Sequence, residues 1–268
     1  EIKPFKKIDL SKINFIFNVK NNEFEFKDVN LMHDSNNLMF PELTVKKQEN
    51  KFLISGKNNS KSLVLDDKKI SQLFNNNFSS LKIKSAEFDL ENTFSFKIDN
   101  KYKIDNLKIN SLLYLKNSKF VSSKNLKEFF PKSNEIIELS NHQIKIEYEK
   151  NLLSINGNGN VLIQKENDNI EYNFLKSKKN LKFDISLEIK KNLFHLNFLN
   201  YKKDQDDKLE IIILGNKNLL SNEINFNEIS IKEKNNKFEI QNLLLSKKYK
   251  IKSISKINLN YFDNDLLK

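Results

Sequence analysis

The chain has 268 residues and a formal net charge of +11, and all 46 of its basic residues are lysine. It has no cysteine, which excludes disulfides, thiolate nucleophiles and cysteine-based zinc sites. A hydrophobic fraction of 38% with 11% aromatics excludes a disordered chain.

The predicted elements are strands almost throughout. Ile13, Phe15, Phe17 and Val19 alternate with mostly polar neighbours, Asn21-Asn22 marks a turn, and Phe24 and Phe26 resume the alternation. Asn58-Asn59 is read as a second turn. Asp67 to Phe78 carries Ile70, Leu73 and Phe74 at helical spacing and predicts one short helix. Phe94, Phe96 and Ile98 alternate again and lead into a turn at Asn100-Lys101. The stretch 116–141 is the most irregular; within it Asn125 is placed to cap a single helical turn bearing Leu126, Phe129 and Phe130, which Pro131 ends. Both helical pieces are expected to act as plugs over a sheet edge.

Ile144, Ile146 and Tyr148 restart the pattern, and turns are read at Asn158-Gly159 and at Asn167-Asp168-Asn169. The clearest run is Leu181, Phe183, Ile185, Leu187 and Ile189, separated by Lys182, Asp184, Ser186 and Glu188. Phe194, Leu196 and Phe198 are read as another alternating strand. Ile229 with Ile231, a turn at Asn235-Asn236, Phe238 with Ile240, and Ile257, Leu259 and Tyr261 complete the series. Such alternation puts an apolar set on one face of each strand and a polar set on the other. The expected organisation is a strand region over 1–115, an irregular connection over 116–141 and a second strand region over 142–268, or one continuous domain.

Catalytic chemistry finds no foothold. His33, His142 and His195 each stand alone, so they are read as surface or structural residues. Asp204, Asp206 and Asp207 lack the glycine and distal glutamate of a calcium loop and read as a solvated hairpin. Glu135 and Glu138 have no nucleophile beside them. Gly157-Asn158-Gly159 has no third glycine and no following helix, so it reads as a hairpin or bulge. Nothing calls for a cofactor or a metal.

The lysines carry two readings. One is attraction to anionic lipid or nucleic acid. The other is codon bias, because lysine, asparagine, isoleucine and phenylalanine abound together; the spread of lysines along the chain favours it. The absence of arginine weighs against nucleic acid. Lysine and phenylalanine also fall on opposite strand faces, whereas a base-stacking platform needs both on one.

Many amphipathic strands in series have to place their apolar faces somewhere. A sandwich, a closed barrel and a long curved sheet with a gutter-like interior are the available solutions. The fold class expected is all-β: a long antiparallel meander sheet curved into an open apolar groove, with one or two short helices. Phospholipid acyl chains would suit such a groove, with head groups at a wet rim where lysines attract phosphate as diffuse charge.

Several segments share a strand-and-turn texture: Ile109-Asn110-Ser111-Leu112-Leu113-Tyr114-Leu115, Ile155-Asn156-Gly157-Asn158-Gly159-Asn160-Val161, Leu199-Asn200-Tyr201-Lys202, Phe238-Glu239-Ile240-Gln241-Asn242-Leu243 and Phe52-Leu53-Ile54-Ser55-Gly56. In these the chain resembles the AsmA-like proteins of Gram-negative envelopes, particularly the large members with repeating β-groove domains. The resemblance implies an interior segment of such a groove, a periplasmic location, phospholipid transport between inner and outer membranes, and an inner-membrane anchor and membrane contacts supplied from outside this segment. Within the segment no apolar run of transmembrane length and no signal-peptide pattern is read, so any export or anchoring sequence is expected outside it.

The groove lining expected on this basis is Phe15, Phe17, Phe24, Phe26, Phe94, Phe96, Ile98, Ile144, Ile146, Phe183, Ile185, Leu187, Phe238, Ile240, Ile257 and Leu259. The first functional expectation is therefore non-enzymatic phospholipid transport, with phospholipid as partner and no nucleic acid. The alternative is a structural or adhesive β-sandwich or solenoid of the envelope. An outer-membrane barrel fits less well, because the strands are uneven and rich in lysine and asparagine. An enzyme comes last.

Overall fold

A computed structural model describes residues 10–74, 81–122, 126–203 and 207–260. The first half comprises β1 (Leu10–Lys20), β2 (Glu23–His33), β3 (Asn36–Gln48), β4 (Lys51–Asp66), helix α1 (Asp67–Phe74), β5 (Leu81–Asp99) and β6 (Ile104–Ser122). A 3-10 turn (Leu126–Glu128) leads to β7 (Ile136–Glu149), β8 (Leu152–Leu162), β9 (Asn167–Lys176) and β10 (Asn180–Ile189). Then come β11 (His195–Leu196), a second 3-10 turn (Asn197–Leu199), β12 (Tyr201–Lys202), β13 (Leu209–Asn218), β14 (Ile224–Glu233), β15 (Asn236–Leu245), β16 (Ile251–Ser253) and β17 (Lys256–Asn260).

Fifteen of these strands form one antiparallel sheet in chain order, with β10 joined directly to β13 and both β16 and β17 on β15. Strands β11 and β12 pair only with each other. The sheet is curved and does not close on itself. The alternation explains the topology: each strand offers one apolar face, and tight turns return the chain to the neighbouring position. Asn21 and Asn22, and Lys150 and Asn151, make such turns with positive φ at both central residues. None of the four glycines has positive φ, so asparagine, joined by lysine, aspartate, tyrosine, glutamate and serine, supplies the left-handed positions.

Curvature has a local cause. Asp28, Ser62, Asn106, Asn141 and Asn242 have positive φ inside strands, and the β4–β5, β5–β6 and β7–β8 registers slip at Ser60/Leu63, Ser95/Lys97 and Ser140/Gln143. An extra residue on one strand bends it and raises its twist.

Several expected turns prove to be strand. Asn58-Asn59 lies inside β4, paired with Asn92 and Glu91, and Asn158 pairs with Gln143 and Glu171 inside β8. Asn167-Asp168-Asn169 opens β9 instead of turning. Partners on both sides outweigh the turn preference of asparagine at these positions. The reading of Phe194 to Phe198 as a strand is likewise corrected. Only His195–Leu196 is extended, and the segment folds over the sheet through a 3-10 turn.

Helix α1 begins where Asp66 Oδ1 accepts from the Lys69 backbone N–H at 2.9 Å, and Ile70 is buried. The remainder of the stretch expected to be helical, like Asn125, the Asp204 and Asp206 carboxylates and Tyr261, lies outside the described residues. Within 116–141, β6 extends to Ser122 and β7 begins at Ile136, because Lys119 pairs with Glu138 and Phe120 with Ile137. The sheet thus runs without a break across this stretch.

The buried core sits at one rim of the sheet. Phe130, Ile137, Val161, Ile163, Ile189, Phe194, Leu196, Tyr201, Leu209 and Ile231 form it, where the 126–134 and 190–203 segments cap the strand ends.

Candidate functional site: an uncovered apolar face

Register places the apolar residues of successive strands side by side. Leu90 pairs with Leu113, Leu113 with Ile144, Ile144 with Gly157, and Gly157 with Tyr172. Tyr172 pairs with Ile185, Ile185 with Ile213, Ile213 with Ile229, Ile229 with Ile240, and Ile240 with Ile257. This row crosses ten strands without a charge. At about 4.8 Å per strand it spans roughly 43 Å.

Parallel rows flank it. One runs Ile146, Ile155, Phe174 and Phe183. Another runs Phe17, Phe26, Leu43, Gly56, Phe94, Ile109 and Tyr148, and carries the face to the β1 edge.

All sixteen residues expected to line a groove lie on this one face. Phe15, Phe17, Phe24 and Phe26 cluster at the β1 edge, with ring centroids of Phe15–Phe26 at 5.5 Å and Phe17–Phe26 at 5.0 Å. Phe94, Phe96 and Ile98 occupy alternate positions of β5, with Phe94 stacked on Phe96 at 6.2 Å. Ile144 and Ile146, then Phe183, Ile185 and Leu187, fill the middle. Phe238 and Ile240 meet Leu259 and Ile257 at the far edge.

The same face holds residues that simple alternation misses. Ile211 and Ile213 are hidden in the unbroken run Ile211 to Leu214, and Leu113 is masked by Leu112. Gly157 and Gly215 belong to it through the rings that cover them.

Among the described residues no second layer of regular structure covers most of the face. The chain leaves 18417 Å² accessible, against roughly 12,000 Å² for a compact monomer of this mass. Among the described residues, cover is found at the capped rim. There the Phe130 and Phe194 rings meet edge to face at 5.4 Å, and Phe198 sits 5.7 Å from Phe238. The seam between cap and sheet holds a small apolar pocket lined by Leu196, Leu199, Leu209, Ile231, Phe238 and Leu259.

Buried polar side chains fasten the cap. Asn192 Nδ2 donates to the Glu166 carbonyl at 2.6 Å and to Asp168 Oδ2 at 2.7 Å, while Asn192 Oδ1 accepts from the Glu166 N–H at 3.2 Å. Gln164 Nε2 donates to the Leu193 carbonyl at 2.7 Å, Lys203 Nζ to the Lys190 carbonyl at 2.7 Å, and the Tyr201 hydroxyl to Glu233 Oε2 at 2.6 Å. Burial pushes the Asp168 carboxyl up from its ordinary value, against the opposing pull of Asn192, the Lys190 N–H and nearby lysines.

Burial favours the neutral form of two polar rings on the apolar face. Burial pushes the Tyr172 hydroxyl up to about 12 and lowers His142, whose Nε2 lies 2.8 Å from the Asn160 carbonyl. His142 is thus a structural part of the face. His195, in the cap, is also lowered, first by burial and then by Lys202. Among the described residues no group of three or more His, Cys, Asp or Glu is placed to hold a metal ion.

The opposite face is mostly polar and is cross-linked by exposed ion pairs such as Lys57–Glu42 at 2.9 Å and Lys108–Glu149 at 2.7 Å. Such pairs contribute little stability. Comparison with protein-family models, with curated proteins and with solved structures yields no match to this chain. The uncovered apolar face is therefore the feature that calls for a function.

Proposed function

We propose that the chain is a non-enzymatic phospholipid carrier segment that holds acyl chains against its uncovered apolar face. One observation carries the reading: the ten-strand row from Leu90 to Ile257 is continuous, uncharged and without a protein layer over most of its length. A face of this size is not left to water in a stable monomer. Acyl chains need an unbroken apolar lining and no specific polar contacts, and each buried methylene gains about 0.8 kcal/mol. The row is roughly three times the ~15 Å depth of one hydrocarbon leaflet, so it has room for several chains in series.

The likeness of the strand-and-turn segments to AsmA-like proteins supports a periplasmic place for this activity. There the segment would carry phospholipid between inner and outer membranes, anchored through regions beyond it.

Native mass spectrometry with lipid extraction, on protein purified from a bacterial envelope, tests the proposal. Phospholipid at more than trace stoichiometry, lost in Phe183→Asp and Ile185→Asp, is the expected result. A lipid-free, stable assembly with two apolar faces pressed together would overturn it in favour of a structural or adhesive β-protein.

A further inference from the structure

The meander brings alternate turns to one rim, opposite the capped one. Those turns cover residues 20–23, 46–51, 99–105, 149–151, 176–180, 217–223 and 246–252, and together they contain fifteen lysines against six acidic residues. The charge is densest in the last three. Lys176, Lys178 and Lys179 lie in the β9–β10 turn, Lys217 at the start of the β13–β14 turn, and Lys247, Lys248 and Lys250 in the β15–β16 turn. Glu223 is the one carboxylate in these three turns, and Lys252 occupies it at 2.7 Å.

These turns are true neighbours. The Leu219 N–H donates to the Lys179 carbonyl at 2.7 Å, and the Lys252–Glu223 pair ties the second turn to the third. At about 4.8 Å per strand the three turns lie within roughly 20 Å of one another. Lysines of the polar face find carboxylates across the strands, as in Lys46–Glu23, Lys108–Glu149 and Lys119–Glu138. Among the described residues no such ion pair engages the seven lysines of the patch.

Two large side chains stand out at the tips. Leu220 is 72% exposed and Tyr249 is 69% exposed. Their turns are ordered: Asn218 Oδ1 accepts from the Leu220 and Ser221 N–H groups at 2.9 and 3.0 Å, and the Tyr249 N–H donates to the Ser246 carbonyl at 2.8 Å. A rigid turn that thrusts leucine or tyrosine into water among unpaired lysines has no role in packing the sheet.

We infer that this rim docks on an anionic membrane surface, with the seven lysines facing lipid phosphates and Leu220 and Tyr249 entering the interfacial layer. Lysine contributes diffuse charge on a long apolar stem, which suits a sheet of mobile head groups. Tyrosine settles where an apolar ring and a wet hydroxyl are both satisfied. Nucleic acid fits less well, since it is best recognised by arginine forks, which the chain lacks, or by a continuous aromatic platform, which two separate tips do not make. Docking does not require lipid on the apolar face. It does set the rim away from the cap against the bilayer, with the strands running outward from it.

Co-sedimentation of the whole chain with vesicles of equimolar phosphatidylcholine and phosphatidylglycerol, and with phosphatidylcholine alone, tests this. Binding is expected only with the anionic vesicles and is lost as salt rises. The fourfold variant Lys178→Gln/Lys179→Gln/Lys247→Gln/Lys248→Gln is expected to bind at least about a hundredfold more weakly, at about fivefold per lysine. Lys57→Gln/Lys108→Gln/Lys119→Gln/Lys145→Gln removes the same charge from elsewhere and is expected to stay within about fivefold of the parent. Leu220→Ser/Tyr249→Ser is expected to weaken binding about tenfold with the salt dependence kept.

Equal binding to neutral vesicles would overturn the docking, as would equal loss in the two lysine variants. So would capture of a single-stranded oligonucleotide with vesicles left unbound. Protein that sediments with vesicles yet carries no lipid after purification leaves the docking standing and removes the carrier reading.

Discussion

Tyr172 lies over Gly157, its partner on the neighbouring strand, so closely that a Cβ on the glycine would sit 2.5 Å from the ring. Phe183 covers Gly215 in the same way, with a ring atom 2.6 Å from the would-be Cβ, and meets Phe226 beyond it at 5.7 Å. A missing side chain on one strand gives a ring from the next strand a place to lie flat, which fixes the register between them. Gly157→Ala and Gly215→Ala are therefore each expected to destabilise the sheet by about 1–3 kcal/mol through overpacking. Denaturant titration reads this as a lower midpoint.

Covered and uncovered phenylalanines should answer truncation differently. Phe194, a cap residue packed in the core at the rim, is 3% exposed, whereas Phe183 is only half-buried on the open face. Phe194→Ala is expected to cost about 3–5 kcal/mol. Phe183→Ala is expected to cost about 1–2 kcal/mol, because water already reaches much of the ring. Chemical unfolding of the two lipid-free variants compares them directly, and equal losses would mean that the open face is packed against something.

Cap attachment depends on Asn192. Asn192→Ala removes three hydrogen bonds and strips the buried Asp168 carboxyl of a donor, so a loss of about 2–3 kcal/mol is expected. Hydrogen exchange should quicken across 190–203 while β5 and β6 keep their protection, since the cap does not contribute to their pairing.

His142 gives the sheet a pH dependence of predictable sign. Burial lowers its pKa in the folded chain, so below the unfolded value of about 6.5 the unfolded state binds more protons. Stability is full above about pH 6.5 and falls as the pH drops through that value towards the folded pKa. His142→Phe keeps a ring over Gly159 and should flatten part of this fall, with His195→Asn acting in the same sense. Asp168 acts with the opposite sign. Its raised pKa makes the folded state the better proton binder, so its contribution grows as the pH falls from the folded pKa towards the ordinary carboxylate range. Thermal unfolding across pH 4 to 8 separates the two.

The sheet and its apolar face were legible because a strand has a period of two, and Leu181 to Ile189 displays that period undisturbed. Local signals misled where partners on both sides decided the outcome. Asn58-Asn59 has the composition of a turn yet pairs with β5, and Phe194 to Phe198 alternates like a strand yet folds over the sheet end. Ile211 to Leu214 hid its face because the polar-side positions are apolar too. The lysine patch left no trace as a block in the sequence. Lys179 and Lys247 are far apart along the chain, and only the meander makes their turns neighbours.

In the main sheet, each strand pairs with the ones next to it in the chain, apart from the β17 addition to β15 and the capped link between β10 and β13. Such a molecule behaves more like a zipper than a globule: stability accumulates pair by pair, and opening begins at β1 or β17 and works inward. Its width is in effect a count of hairpins. Inserting one would widen the apolar face by about 10 Å and place another turn on the basic rim, while every existing pairing stayed as it was.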